Sequence, residues 1–179
     1  MSLKIITLTT LFVVLFTSCF DDLYYYFTDD ERSLLVYDKG DEFVLRRNPQ
    51  QDTLTFIFTD IIRDSLRKSG LGLQYHNFEV YEAAFEQDNY FSGSIFAYKE
   101  LTFEMGITLS VDNRKEFEGT LCDTLYSYNL NNQNYPELFV FASRKGESPM
   151  LYFSKDKGIV YIDSTASGSS YSLIEYVKK

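Results

Sequence analysis

From Ser33 onward the chain alternates short apolar runs with clusters of turn residues, and the apolar positions recur at a period of two rather than 3.6. Asp38-Lys39-Gly40-Asp41 separates an apolar run, Leu34 to Tyr37, from an alternating one, Glu42 to Arg46, in which Phe43 and Leu45 share a face. That arrangement predicts a hairpin. Further punctuation falls at Asn48-Pro49, Ser69-Gly70, Gln87-Asp88-Asn89, Asp112-Asn113, Asn131-Asn132, Lys145-Gly146, Lys155-Asp156-Lys157-Gly158 and Ser167-Gly168-Ser169-Ser170. The stretches between are rich in Tyr, Phe, Ile, Val and Thr, which suit a pleated, half-buried surface. The spacing predicts about ten strands in one all-β or mainly β domain over 33–179, an antiparallel barrel, half-barrel or sandwich. Residues 60–69 read two ways. Asp60 as a cap, Ile62 and Leu66 four apart and Gly70 as a stop describe one short helix. The competing reading continues the preceding strand with Phe56, Phe58, Ile62 and Leu66 on one face, and the balance favours strand.

Three stretches are apolar on both faces: Leu54 to Phe58, Leu138 to Phe141 and Ile159 to Ile162. Strands of this kind are expected to be covered twice. Either another part of the chain packs over their second face, or an open barrel turns an apolar wall toward a hydrophobic guest.

The pattern changes at the N-terminus. Lys4 precedes Ile5 to Phe16, twelve residues that are apolar apart from three threonines and carry no charge. As a helix this run would be about 18 Å long, too short for the roughly 30 Å of bilayer hydrocarbon, so it reads as a secretory signal over residues 1–18. It ends in Leu15-Phe16-Thr17-Ser18-Cys19, which resembles the lipobox of bacterial lipoproteins, with Phe16 where an aliphatic residue is usual. The resemblance implies that Cys19 is acylated and becomes the first residue of the mature chain. Buried acyl chain contributes about 0.8 kcal/mol per CH₂, so two or three chains hold where one is marginal. Asp21-Asp22 just after Cys19 looks like the acidic export signal of lipoproteins of Bacteroidota, and points to the outer rather than the inner membrane with the face left open. An acidic, solvated linker explains the same residues. The stretch 19–32 reads as an acidic and aromatic tether, although Tyr24-Tyr25-Tyr26-Phe27 suits a first strand or a membrane interface better than a disordered segment.

Near the C-terminus, Leu151-Tyr152-Phe153-Ser154-Lys155-Asp156-Lys157-Gly158-Ile159-Val160-Tyr161 and then Tyr171-Ser172-Leu173-Ile174 resemble the ending of uncharacterised Bacteroidota envelope lipoproteins. In these an aromatic-Ser-Lys-x-x-Gly turn joins two final strands before a last one. The resemblance covers roughly the last 60 residues and the leader. It implies a β-rich envelope domain and carries over no functional residue other than Cys19.

Composition narrows the classes. The formal charge is −9, and removal of the leader takes away one lysine and no acid. Nucleic acid is disfavoured as a partner, and so is an anionic lipid surface. An acylated Cys19 leaves Cys122 as the one remaining cysteine, so no intramolecular disulfide is expected. His76 is the only histidine. A Cys122/His76 dyad would need the fold to bring the two together. Carboxylate pairs of the glycosidase kind arise by chance among 26 acids. Asp112-Asn113 with Glu116 and Glu118 gathers oxygen donors but lacks the order of a calcium loop, and reads as a solvated turn. No phosphate-cradling glycine loop is present. The sequence therefore predicts a non-catalytic binding or structural module of the cell envelope, without cofactor or metal, held to the membrane through Cys19 and meeting a protein, glycan or lipid partner. Two alternatives stand beside it. A carrier or sensor of a hydrophobic ligand requires a continuous apolar cavity, and a hydrolase requires a cleft with strongly shifted carboxylate or histidine titration.

Overall fold

The computed structural model describes residues 22–69, 76–87, 91–111, 114–143, 148–163 and 168–179. Its strands are β1 (Leu23–Tyr25), β2 (Glu42–Asn48), β3 (Thr53–Ser69), β4 (His76–Gln87), β5 (Phe91–Lys99), β6 (Phe103–Val111), β7 (Arg114–Leu130), β8 (Gln133–Ala142), β9 (Met150–Ser154), β10 (Gly158–Asp163) and β11 (Ser170–Val177), with one helical turn, α1 (Asp29–Arg32). From β2 to β11 each strand pairs antiparallel with the next, and β11 returns to β2 over Ser170↔Asn48 to Val177↔Glu42. The result is a closed ten-stranded up-and-down barrel, whose wall has no open edge. Among the described residues, the turn clusters at Asn48-Pro49, Asn131-Asn132 and Lys155-Asp156-Lys157-Gly158 fall at strand ends. The turns expected at 70, 88–89, 112–113, 145–146 and 167 lie outside the described residues, and residues 60–69 belong to β3 as strand.

Two features depart from the reading of the sequence. First, β3 does not keep Phe56, Phe58, Ile62 and Leu66 on one face. Bulges between Phe58 and Asp60 and between Ile62 and Ser65 each insert an extra residue, and with a side-chain period of two each insertion reverses the faces beyond it. Phe56 and Phe58 are buried inside, whereas Ile62 lies outside and exposed. Second, Leu34 to Tyr37 is no strand. It is an irregular segment that delivers Leu34 and Tyr37 into the core, because Tyr37 finds a backbone partner across the barrel that a strand edge would not offer.

The barrel interior is aromatic. Tyr37, Phe43, Phe56, Phe58, Phe85, Phe141 and Phe153 are all at most 1% exposed. Phe43 stacks on Phe56 at 4.8 Å and meets Phe85 edge-on at 5.1 Å. Tyr37 stacks on Phe58 at 4.1 Å and meets Phe153 edge-on at 6.1 Å. Contacts of this kind contribute about 0.5–1.5 kcal/mol per pair beyond the area they bury.

The end of the barrel with the turns at 100–102 and 155–157, called here the near end, is closed by the segment before β2. Tyr37 Oη accepts the Ile159 amide at 2.6 Å, and the Tyr37 carbonyl accepts from Tyr81 Oη and Arg63. Gly158 has φ +73, and a Cβ there would lie 1.8 Å from Tyr37 Oη. Glycine is therefore demanded by both backbone and neighbour. Asp41 is fully buried and accepts from Tyr176 Oη at 2.6 Å and from the amides of Asp38 and Lys179. Burial alone would raise its pKa, but these hydrogen bonds outweigh it and hold the carboxyl below the ordinary value. Burial pushes Tyr81 up to about 12 and Tyr37 well above the usual phenol range.

Within 19–32, the stretch that reads from sequence as a tether, the described residues pack on the barrel. Strand β1 pairs parallel with β4, Leu23↔His76 to Tyr25↔Phe78, along the edge of β4 that β5 no longer occupies. Thr28 and Glu31 form a capping box on α1. The buried Glu79 accepts from the Phe27 amide at 2.7 Å and pairs with Arg32 at 2.7 Å. A carboxylate buried in this way is tolerable only because it is paired and hydrogen-bonded.

Tyr37→Phe keeps the ring and removes the acceptor of the Ile159 amide. Leaving that buried donor unmatched is expected to cost about 1–3 kcal/mol, read as a lower urea midpoint, with the exposed Tyr126→Phe unchanged. An unchanged midpoint for Tyr37→Phe contradicts the assigned role of the hydroxyl.

Candidate functional site: an apolar groove on the outer face of β3, β4 and β5

The outer surface of the barrel is divided into a covered half and an open one. Strands β7 and β8 stay paired to Leu130↔Gln133, far past the last pairing of β7 with β6 (Thr120↔Gly106) and of β8 with β9 (Phe139↔Phe153). Residues 121–138 thus form an outer two-stranded ribbon. It lies across β9, β10 and β11, where Tyr135 and Leu138 pack with Val160, and Leu125, Leu130, Tyr152 and Leu173 pack around them. Tyr128 stacks on Tyr152 at 6.4 Å. Val160, next to the inward Ile159, faces outward to meet the ribbon, and the bulge between Ile159 and Tyr161 brings Ile162 back to the interior. The expected double coverage of Leu138–Phe141 and Ile159–Ile162 is met by the chain itself.

The third such stretch is not covered. Leu54, Phe56 and Phe58 are buried inside, but Ile57 on the opposite face is 43% exposed. Farther along β3, Ile62 borders a groove of about 530 Å³ on the outer face of β3, β4 and β5. The pairings Ile62↔Glu82↔Phe96 and Asp60↔Ala84↔Ser94 set its rows. Val80 and Ala84 are its short floor residues, and Phe78, Phe96 and Tyr98 its aromatic wall. Phe96 stacks against Tyr98 at 6.3 Å, and Phe78 meets Tyr98 edge-on at 6.2 Å. Opposite Phe96 on β6 is Gly106, where a Cβ would lie 2.3 Å from the ring. The glycine lets Phe96 lie flat over the neighbouring strand.

Polar groups occupy the rim. Arg67 pairs with Glu82, Tyr98 donates to Glu104, and Asp60 is exposed. The Tyr98 phenol is raised by that bond to Glu104 and then by burial. Three carboxylates against one guanidinium, itself paired with a carboxylate, give the groove a negative margin. Such an arrangement suits an apolar group flanked by positive charge.

The residues weighed for chemistry lie elsewhere. His76 heads β4, with Nδ1 3.2 Å from Glu100 and its ring edge-on to Tyr25. Cys122 is on β7 and its thiol donates to the Val140 carbonyl at 3.3 Å. Strands β5 and β6 lie between them, so the fold does not assemble the dyad. Glu116 is buried at the β6–β7 bulge, Glu118 pairs with Lys115 at 2.6 Å, and Asp112-Asn113 lies outside the described residues. Among the described residues no three His, Cys, Asp or Glu side chains gather to hold a metal ion, and no helix is long and apolar enough to cross a membrane. Cys19 lies outside the described residues. The groove was missed in the sequence, although Ile95-Phe96-Ala97-Tyr98 carries apolar residues on both faces just as the three flagged stretches do. Comparison of the chain with protein-family models, curated proteins and solved structures found no match.

Ala84→Arg places a long cation on the groove floor without touching the core. It is expected to reduce Nile red binding to the folded domain several-fold, whereas Tyr126→Arg on the outer ribbon leaves it unchanged. Equal binding by both variants would place the apolar surface elsewhere.

Proposed function

We propose that the chain is a membrane-anchored envelope lipoprotein, acylated at Cys19, whose barrel is a non-catalytic binding module that docks a protein partner in the β3–β5 groove. The observation that carries the binding half is the unequal treatment of two-faced strands. The chain covers its own apolar outer face over β9–β11 with a costly 18-residue ribbon, residues 121–138, yet leaves the groove beside Ile62 and Phe96 open. The acidic rim favours a partner segment that presents apolar side chains beside a lysine or arginine. A barrel interior filled with seven buried rings argues against a guest inside, so the carrier reading has less support than surface docking.

The anchoring half rests on the leader and on Thr17-Ser18-Cys19. The resemblance to Bacteroidota lipoproteins favours the outer membrane. It is tested by feeding cells an alkynyl palmitate: the chain is expected to take up label and sediment with membranes, and Cys19→Ser to do neither. A label-free wild type contradicts the anchor. For docking, a photocrosslinking residue at Ile62 is expected to give one discrete protein adduct in intact cells that Ala84→Arg abolishes. No adduct, or an adduct insensitive to Ala84→Arg, contradicts the groove as the docking surface.

A further inference from the structure

We infer that the near end of the barrel, beside β1, is a membrane-seating surface that lies flat on the bilayer interface. This rests on the acylation of Cys19 proposed above, and adds to it where the folded domain sits relative to the lipid. Leu23, Tyr24, Tyr26, Leu66 and Leu101 are all exposed, Leu101 at 72%. The registers bring them to one end. Leu23 pairs with His76, His76 contacts Glu100 in the turn that carries Leu101, and Leu66 on β3 pairs with Glu79 three residues along β4. Tyr24 and Tyr26 stack with ring centroids 6.5 Å apart while remaining more than half exposed. Exposed tyrosines interleaved with leucines are the residue types that settle at the membrane–water boundary, where an apolar body and a polar tip are both satisfied.

Chain length fixes the occupant. Only four residue steps separate Cys19 from Leu23, so the acylated sulfur lies within roughly 17 Å of β1 however the chain runs. Acyl chains in the hydrocarbon hold that sulfur at headgroup level, and each interfacial layer is only about 5–8 Å deep. The near end is therefore kept at the lipid surface. Strand β1, the Phe27 amide on Glu79 and Arg32 on Glu79 fasten this segment to the barrel, so the domain cannot swing away on a loose tether.

The test uses the acylated chain, reconstituted into phosphatidylcholine vesicles that contain a spin-labelled lipid quencher. A fluorophore is placed by Leu101→Cys, or at the opposite end by Gln51→Cys, each with Cys122→Ser. The Leu101 position is expected to be quenched several-fold more than the Gln51 position. A chain that carries its acyl mass and sediments with vesicles, yet shows equal quenching at the two positions, overturns the seating while leaving the anchor intact. A near end buried against a second copy, seen as quenching lost on dimerisation, overturns it as well. A chain whose intact mass shows no acyl group sinks the anchor and the seating together.

Discussion

One tyrosine holds the barrel shut. Tyr37 reaches the interior from an irregular segment, stacks on Phe58, meets Phe153 edge-on and accepts the Ile159 amide from a strand 122 residues away. Gly158 is the counterpart of that insertion, since no larger residue leaves room for the phenol. The segment is fixed in turn by Asp41, whose carboxylate collects the Tyr176 hydroxyl and the Lys179 amide. The beginning of β2 and the end of β11 are thereby joined around one buried charge, at the seam where the sheet closes on itself.

A filled interior moves the question of function to the outside. A closed sheet has two faces, and the inner one is occupied by the side chains of this protein. The outer one is divided. Over β9–β11 the long β7–β8 ribbon supplies the second layer, whereas over β3–β5 the apolar residues are left to solvent, with carboxylates around them. At the near end a third exposed set gathers around β1. The groove runs along the outer wall of β3–β5, and its Arg67↔Phe78 row adjoins the near end.

How far this was legible in the sequence depends on whether local chemistry or tertiary register decided each element. Turn residues such as Asn131-Asn132 and Lys155-Asp156-Lys157-Gly158 mark their turns because few residues accept positive φ, and the structure places Asn131, Asn132 and Gly158 there. The all-β class follows from the same punctuation. Barrel against sandwich was not legible, because closure depends on β11 finding β2 across the whole chain. The face of Ile62 was misread because nothing in Phe58-Thr59-Asp60 announces a bulge. Leu34 to Tyr37 looks like a strand since its residues would suit one, and only the partner of the Tyr37 hydroxyl explains why it is not. Double-faced apolar runs did mark where cover is needed, and they left open whether the chain or a partner provides it.

The closed barrel depends on Tyr37 sitting inside it and filling it. Side-chain NMR of the folded domain measures this directly. Strong cross-relaxation is expected from the Tyr37 ring to those of Phe43, Phe58 and Phe153, with a slowly exchanging hydroxyl proton and no change in these signals when an apolar probe is added. A Tyr37 ring with solvent-like shifts, or interior phenylalanine signals that move as the probe enters, would contradict it.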